Sequence, residues 1–166
     1  SGVDFTIKNS QILFGLSAIK NLGDSAIRNI IENRKNFGIF KSLSDLCDRL
    51  PSNVLNKRSL ESLIHCGALD EFSQNNNRAQ LLSDLEHVIE WASSRNRDRL
   101  SGQGNLFDSK DQFSNVALSD AQLAKVDDYS LIEKLKLEKE LLGFYLSDHP
   151  LKHLTRPARL ISPTSV

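Results

Sequence analysis

The chain has few cysteines: Cys47 and Cys66 are the two in 166 residues, each inside a helical pattern. That excludes a disulfide framework, and two buried thiols suit a reducing cytoplasm. Long apolar runs are also missing. None reaches bilayer-spanning length and no signal peptide is visible, so a cytoplasmic chain without a membrane partner is expected. The four histidines, His65, His87, His149 and His153, have no metal-ligand spacing. No Cys-x-x-Cys accompanies His65-Cys66, and Pro150 falls between His149 and His153. No glycine-rich loop ends in Gly-Lys-Ser/Thr. Asp127-Asp128 reads as solvated charge, and no Ser/His/Asp or Cys/His set has supporting context. No catalytic residue, metal or cofactor is therefore assigned to this stretch. An apolar fraction of 39% is below the globular average and fits one compact domain plus a partly disordered tail.

Net charge is absent as well, but the charges are unevenly placed. Residues 1–60 carry nine Lys/Arg against five Asp/Glu, and residues 61–100 carry four against seven. The positive excess in the N-terminal third marks the expected nucleic-acid face. The chain opens on Ser1-Gly2 without Met, which suggests a tag-cleavage scar on an excised fragment.

The patterning predicts a mainly α fold. Two short alternating runs within residues 3–15 flank the polar Lys8-Asn9-Ser10 and predict a β-hairpin, too small to stand alone. A short helix, a tight turn at Leu22-Gly23 and a helix from Ser25 to about Lys35 follow, with Ala26, Ile27, Ile30 and Ile31 at helical spacing. Ser42 begins a capped helix that stops at Pro51, and Asn56 opens another that Gly67 closes. A long helix starts near Asn77 and runs to residues 95–99. Residues 101–130 lose all period and predict a flexible linker. A last helix spans residues 129–144, with Leu131, Leu135, Leu141 and Leu142 at compatible spacing, followed by an extended end.

The run from Leu16 to Ile31 has the form of a helix-hairpin-helix, a unit whose turn and second helix offer backbone N–H groups to a phosphate without reading bases. Lys20, Asn21, Leu22, Gly23, Asp24, Ser25, Ala26 and Arg28 are the candidate residues. Gly23 permits close approach, and Asn21 stands where a first glycine is usual, since asparagine tolerates the left-handed conformation. A second helix–loop–helix offers Ser52 and Asn53 in its turn and Lys57 and Arg58 in the first turn of its second helix. Cations are unfavourable there unless an anion is near. Within the linker, Gln103, Gly104, Asn105, Leu106 and Phe107 form Gln-x-x-Leu-Phe, with an apolar pair suited to a pocket and a glutamine suited to its rim.

Three segments resemble the bacterial DNA polymerase III alpha subunit family, the C-family replicative polymerases: Ile12-Leu-Phe-Gly-Leu-Ser-Ala-Ile-Lys-Asn-Leu-Gly, Phe40-Lys-Ser-Leu-Ser-Asp-Leu-Cys and Asn56-Lys-Arg-Ser-Leu-Glu-Ser-Leu-Ile-His-Cys-Gly-Ala-Leu-Asp. So do Asn77-Arg-Ala-Gln-Leu-Leu, Gly102-Gln-Gly-Asn-Leu-Phe and Glu140-Leu-Leu-Gly-Phe-Tyr-Leu-Ser-Asp-His-Pro-Leu. The resemblance implies that residues 1–15 end a fingers domain and 16–100 form a tandem helix-hairpin-helix domain for duplex DNA. It also implies that 101–130 carry a sliding-clamp peptide and 131–166 lead toward an OB-fold domain. The family synthesises DNA with magnesium and deoxynucleoside triphosphates at a palm domain outside this stretch. Implied partners are duplex DNA, the sliding clamp and other holoenzyme subunits. Two other readings stay open: the helix-hairpin-helix module of a repair nuclease, and a helical protein–protein adaptor.

Overall fold

In a computed structural model, residues 2–8, 11–100 and 125–152 are described. The fold is mainly helical with an N-terminal β-hairpin. Strands β1 (Thr6–Lys8) and β2 (Gln11–Leu13) pair antiparallel, with Ile7 opposite Ile12. These two side chains remain 80% and 65% exposed, so the hairpin's apolar pair is uncovered. Leu16 and Ser17 donate their N–H groups to the carbonyls of Gly2 and Val3, and Phe14 packs edge-on to Phe5 and stacks on Phe144.

A 3₁₀ turn at Leu16–Ala18 leads into α1 (Asp24–Phe37). Helices α2 (Leu43–Arg49) and α3 (Lys57–His65) follow, then the long α4 (Arg78–Leu100) and α5 (Leu131–Leu142). The apolar spacing gives the core directly. Ala26, Ile27 and Ile30 of α1, Leu60, Leu63 and Ile64 of α3, and Leu81, Leu85 and Val88 of α4 are all buried. Each of these isoleucine, leucine and valine side chains contributes about 1.5–3 kcal/mol by leaving water, and the Ala26 methyl less. Cys47 and Cys66 lie in this core as free thiols. Burial pushes Cys47 up to about 12 and Cys66 up to about 11, so both stay protonated and poorly reactive.

The helix ends follow the expected chemistry. The Ser42 hydroxyl accepts from the Asp45 N–H, and the Asn56 carbonyl oxygen accepts from the Ser59 N–H, each satisfying a donor the helix leaves open. Arg49 joins the first two helices. Its guanidinium donates to the Asn33 carbonyl within α1 and the Gly38 carbonyl just past it, and stacks 4.2 Å over Phe40. One positive charge of the N-terminal third is thus used inside the fold.

Two readings need correction. Asp128, expected as solvated charge, accepts from the Arg78 N–H at 3.0 Å and pairs with Lys134. It places a carboxylate at the start of α4, where the helix dipole favours one. Burial raises its carboxyl, but the bonds from Lys134 and the Tyr129 N–H outweigh that and hold it below its ordinary value. Residues 125–130 therefore run against α4: the Val126 N–H donates to Gln80 and the Val126 carbonyl accepts from Asn77. The second correction is α5's inward face. Leu135 and Leu141 are buried as expected, but Leu131 is exposed and Glu138 takes the place between the two leucines.

Helix α5 packs on α3, and Arg78 secures it. This guanidinium, 2% exposed, donates to both Asp70 oxygens at 2.8 and 2.9 Å and twice to Glu138 Oε1 at 3.0 Å. It also donates to the His65 carbonyl. Gly67 belongs to the same arrangement. Its φ of +80° suits glycine, and a Cβ there would lie 2.3 Å from Arg78 Nη2.

Candidate nucleic-acid interface

The first hairpin turn is built on Asn21, which adopts the left-handed conformation with φ 65°, as its place in the sequence suggested. Its amide donates to Ser62 Oγ at 3.2 Å, and its carbonyl accepts from Ser59 Oγ at 2.8 Å. Both serines are buried on α3. The turn of the first hairpin is therefore seated on the second helix of the second hairpin, a contact between residues about forty apart that periodicity cannot reveal. Ser62 Oγ also donates to the Arg58 carbonyl at 3.0 Å, so one hydroxyl links the start of α3 to Asn21.

Around this turn Lys20, Asn21, Gly23, Asp24, Ser25 and Arg28 are exposed, while Leu22 and Ala26 are buried. The last two support the turn from the core. Gly23 precedes α1 in an extended conformation, φ −75°, and no side chain caps the helix. The first-turn N–H groups of a helix have no intrahelical partner, and here they are left to solvent or an anion. Backbone conformation does not demand a glycine at 23, and a Cβ would meet no protein atom within 4 Å. The missing side chain matters only to something approaching from outside. Asp24 places a negative charge in the same first turn, which opposes an incoming phosphate.

The second hairpin differs. Ser52, Asn53, Lys57 and Arg58 are all exposed, but the Asn56 side chain caps α3. Lys57 Nζ pairs with Glu86 of α4. The bond from Glu86 raises the Lys57 pKa, and Lys57 in turn holds Glu86 below its usual value. A lysine at this helix start thus has a partner inside the protein. Ser52 lies with Ile89, Ala92 and Ser93 of α4 in a small cleft of about 20 Å³. The structure joins Asn21 to the Arg58 turn through Ser59 and Ser62, and turns Lys57 and Ser52 toward α4. Residues 103–107 lie outside the described residues.

Sequence reasoning missed Asp128, Arg78, Glu138 and Ser147. One signal was available: Glu138 falls between Leu135 and Leu141 at i, i+3, i+6, a charge on an apolar stripe that calls for a buried partner. Among the described residues, no group of three or more His, Cys, Asp or Glu could hold a metal ion, and no helix is long and apolar enough to cross a membrane.

Two connected hairpins, each with its turn ahead of a helix start, define a helix-hairpin-helix domain, and the family model described as a helix-hairpin-helix motif matches residues 1–81. More particularly, the domain resembles the helix-hairpin-helix region of the bacterial DNA polymerase III alpha subunit. The chain is 43% identical over 151 residues to that subunit from Thermus aquaticus, covering 91% of the chain and 12% of the relative. It is 41% identical over 155 residues to that of Deinococcus radiodurans, covering 92% of the chain and 11% of the relative. With that of Bacillus subtilis it shares 35% over 156 residues, 91% of the chain and 13% of the relative. The chain thus spans about an eighth of the length of these relatives.

Proposed function

We propose that this domain grips duplex DNA by its backbone phosphates, and that residues 103–107 dock on the sliding clamp, so that the chain supplies grip and processivity to a cytoplasmic replicative polymerase. The observation that carries the proposal is the uncapped start of α1 behind the left-handed turn at Asn21. Open N–H donors, a glycine with free space beside it and the flanking Lys20 and Arg28 suit a phosphate oxygen. Arg58 adds a cation on the adjoining α3 start. Relatives named as polymerase subunits support this reading over a repair nuclease or an adaptor. Magnesium and nucleotide chemistry, with contacts to other holoenzyme subunits, would fall to the rest of such a polymerase.

The test is a titration of the chain with duplex of several sequences across salt concentrations. Affinity should be independent of sequence and fall with salt on a log–log slope of about −2 to −5, at roughly 0.9 per phosphate contact. A strong base preference, or affinity indifferent to salt, would sink the phosphate reading. For the clamp, Leu106 and Phe107 supply the apolar anchor and Gln103 the register. Docking should be about micromolar or weaker for a lone short peptide. It gains in the polymerase because DNA grip raises the clamp's effective concentration. Changing Leu106 and Phe107 to Ala should remove clamp binding in calorimetry and leave duplex affinity unchanged.

A further inference from the structure

Helix α5 reaches the first hairpin from behind. The Leu141 carbonyl, in α5's last turn, accepts the backbone N–H of Lys20 at 3.1 Å. The Leu141 side chain is buried in the same core cluster as Leu16, Ile19 and Leu22. Just past α5, Gly143 turns the chain in the left-handed conformation, and Phe144 stacks on Phe14 with centroids 4.7 Å apart and planes 21° from parallel. Phe14 closes the β-hairpin immediately before the 3₁₀ turn. Contacts from one helix end therefore bracket the segment that leads into the turn at residues 20–23.

What keeps α5 in place is polar and buried. Glu138, 0% exposed, accepts from Arg78 through Oε1 and from the Leu146 and Ser147 N–H groups through Oε2 at 2.8 and 2.9 Å. The Ser147 hydroxyl also donates to Oε1. Burial pushes the Glu138 carboxyl up, but the Ser147 hydroxyl, the two N–H groups and Arg78 outweigh it and hold it below its ordinary value. Arg78 itself is fixed by Asp70, from the loop after α3. One cluster thus ties the start of α4, the end of the α3 loop, the middle of α5 and the turn at residues 146–147.

We infer that Glu138, with Arg78 and Ser147, positions the phosphate-binding turn of the first hairpin by docking α5 against it. Glu138 touches nothing at the turn; it acts through Leu141 and Phe144. The inference rests on the proposed grip of DNA for its functional half, while its structural half stands on the Lys20–Leu141 and Phe14–Phe144 contacts.

The experiment uses the whole chain with Glu138→Gln, which keeps the side chain's size and removes the charge facing Arg78, together with Ser147→Ala and Ser147→Thr. Amide hydrogen exchange and duplex affinity across salt are measured on each. In Glu138→Gln, exchange should rise by about tenfold or more through α5 and at the Lys20 amide, while the middle of α3 and α4 keep wild-type protection. Duplex affinity should fall about three- to tenfold and the salt slope by about one phosphate contact. Ser147→Ala should move every readout the same way by less, and Ser147→Thr, which retains the hydroxyl, should restore them.

Release of α5 with Lys20 protection unchanged would overturn the inference, as would exchange rising evenly through every helix, the mark of a structural role only. If Glu138→Gln fails to fold, the two Ser147 variants decide the matter, and equal exchange at Lys20 in both overturns it. Wild-type chain that does not bind duplex would remove the proposed function, and Lys20 exchange would still decide whether α5 holds the turn.

Discussion

The two hairpins look alike as strings of residues and differ in how their helix starts are satisfied. At α1 the cap is Gly23, no side chain closes the first turn, and Asn21 supplies the left-handed residue. At α3 the cap is Asn56, its side chain takes the Ser59 N–H, and Lys57 has Glu86. The first hairpin leaves main-chain donors open at its helix start. The second uses its own side chain on those donors and offers a cation, Arg58, instead. The two turns thus differ in what they leave open: the first leaves its helix start uncapped, and the second caps its own and seats the first turn through Ser59 and Ser62.

Charge reversal should strike hardest. Replacing Lys57 and Arg58 with Glu puts two like charges toward a polyanion and should abolish duplex binding at low salt, read by fluorescence anisotropy. The fold should survive, because acidic residues suit a helix start and the Lys57–Glu86 pair that is lost is exposed and adds little to stability. Wild-type affinity in this variant would remove the second hairpin from the interface.

Exchanging the cap chemistry sharpens the contrast. Gly23→Ala should cost duplex affinity by about tenfold, the order of one lost charge-assisted contact, because a methyl group occupies space that only a ligand needs. Its stability should change by less than about 1 kcal/mol, as the extended φ suits alanine while glycine is the better cap. Asn56→Ala should behave the other way, losing about 1 kcal/mol of stability in urea unfolding with duplex affinity nearly kept. If Gly23→Ala binds like wild type, the open helix start is not where phosphate sits.

Acid should separate the hairpins from α5 by a smaller margin. Glu138 and Asp128 both have folded pKa values below their ordinary 4.5 and 3.8. A depressed carboxyl stabilises the fold at pH above its unfolded value and loses that stabilisation as pH falls through the folded one. Protection of α5 and of the first turn of α4, which Asp128 caps, should therefore begin to fall below about pH 4.5, ahead of α3 and the middle of α4, in pH-dependent hydrogen exchange. Uniform loss along the chain would mean that α5 and the hairpins open together.

Apolar periodicity determined the helices and the burial of Ile27, Ile64 and Leu85, and short polar residues and glycine the caps at Ser42 and Asn56 and the two candidate turns. These are local properties: spacing sets a face, and a short polar side chain finds an N–H three residues on. The sequence also placed Asn21 in its left-handed turn. Only the tertiary structure decided which charges face each other. Lys57 could have met a phosphate, but folding brings Glu86 to it from α4. Asp128 could have been solvated, but the chain returns it to the start of α4. Arg78 and Glu138 stand sixty residues apart and are buried together. Burial of a charge is stable only with a partner in contact, and the identity of that partner depends on how helices cross, which no local pattern records.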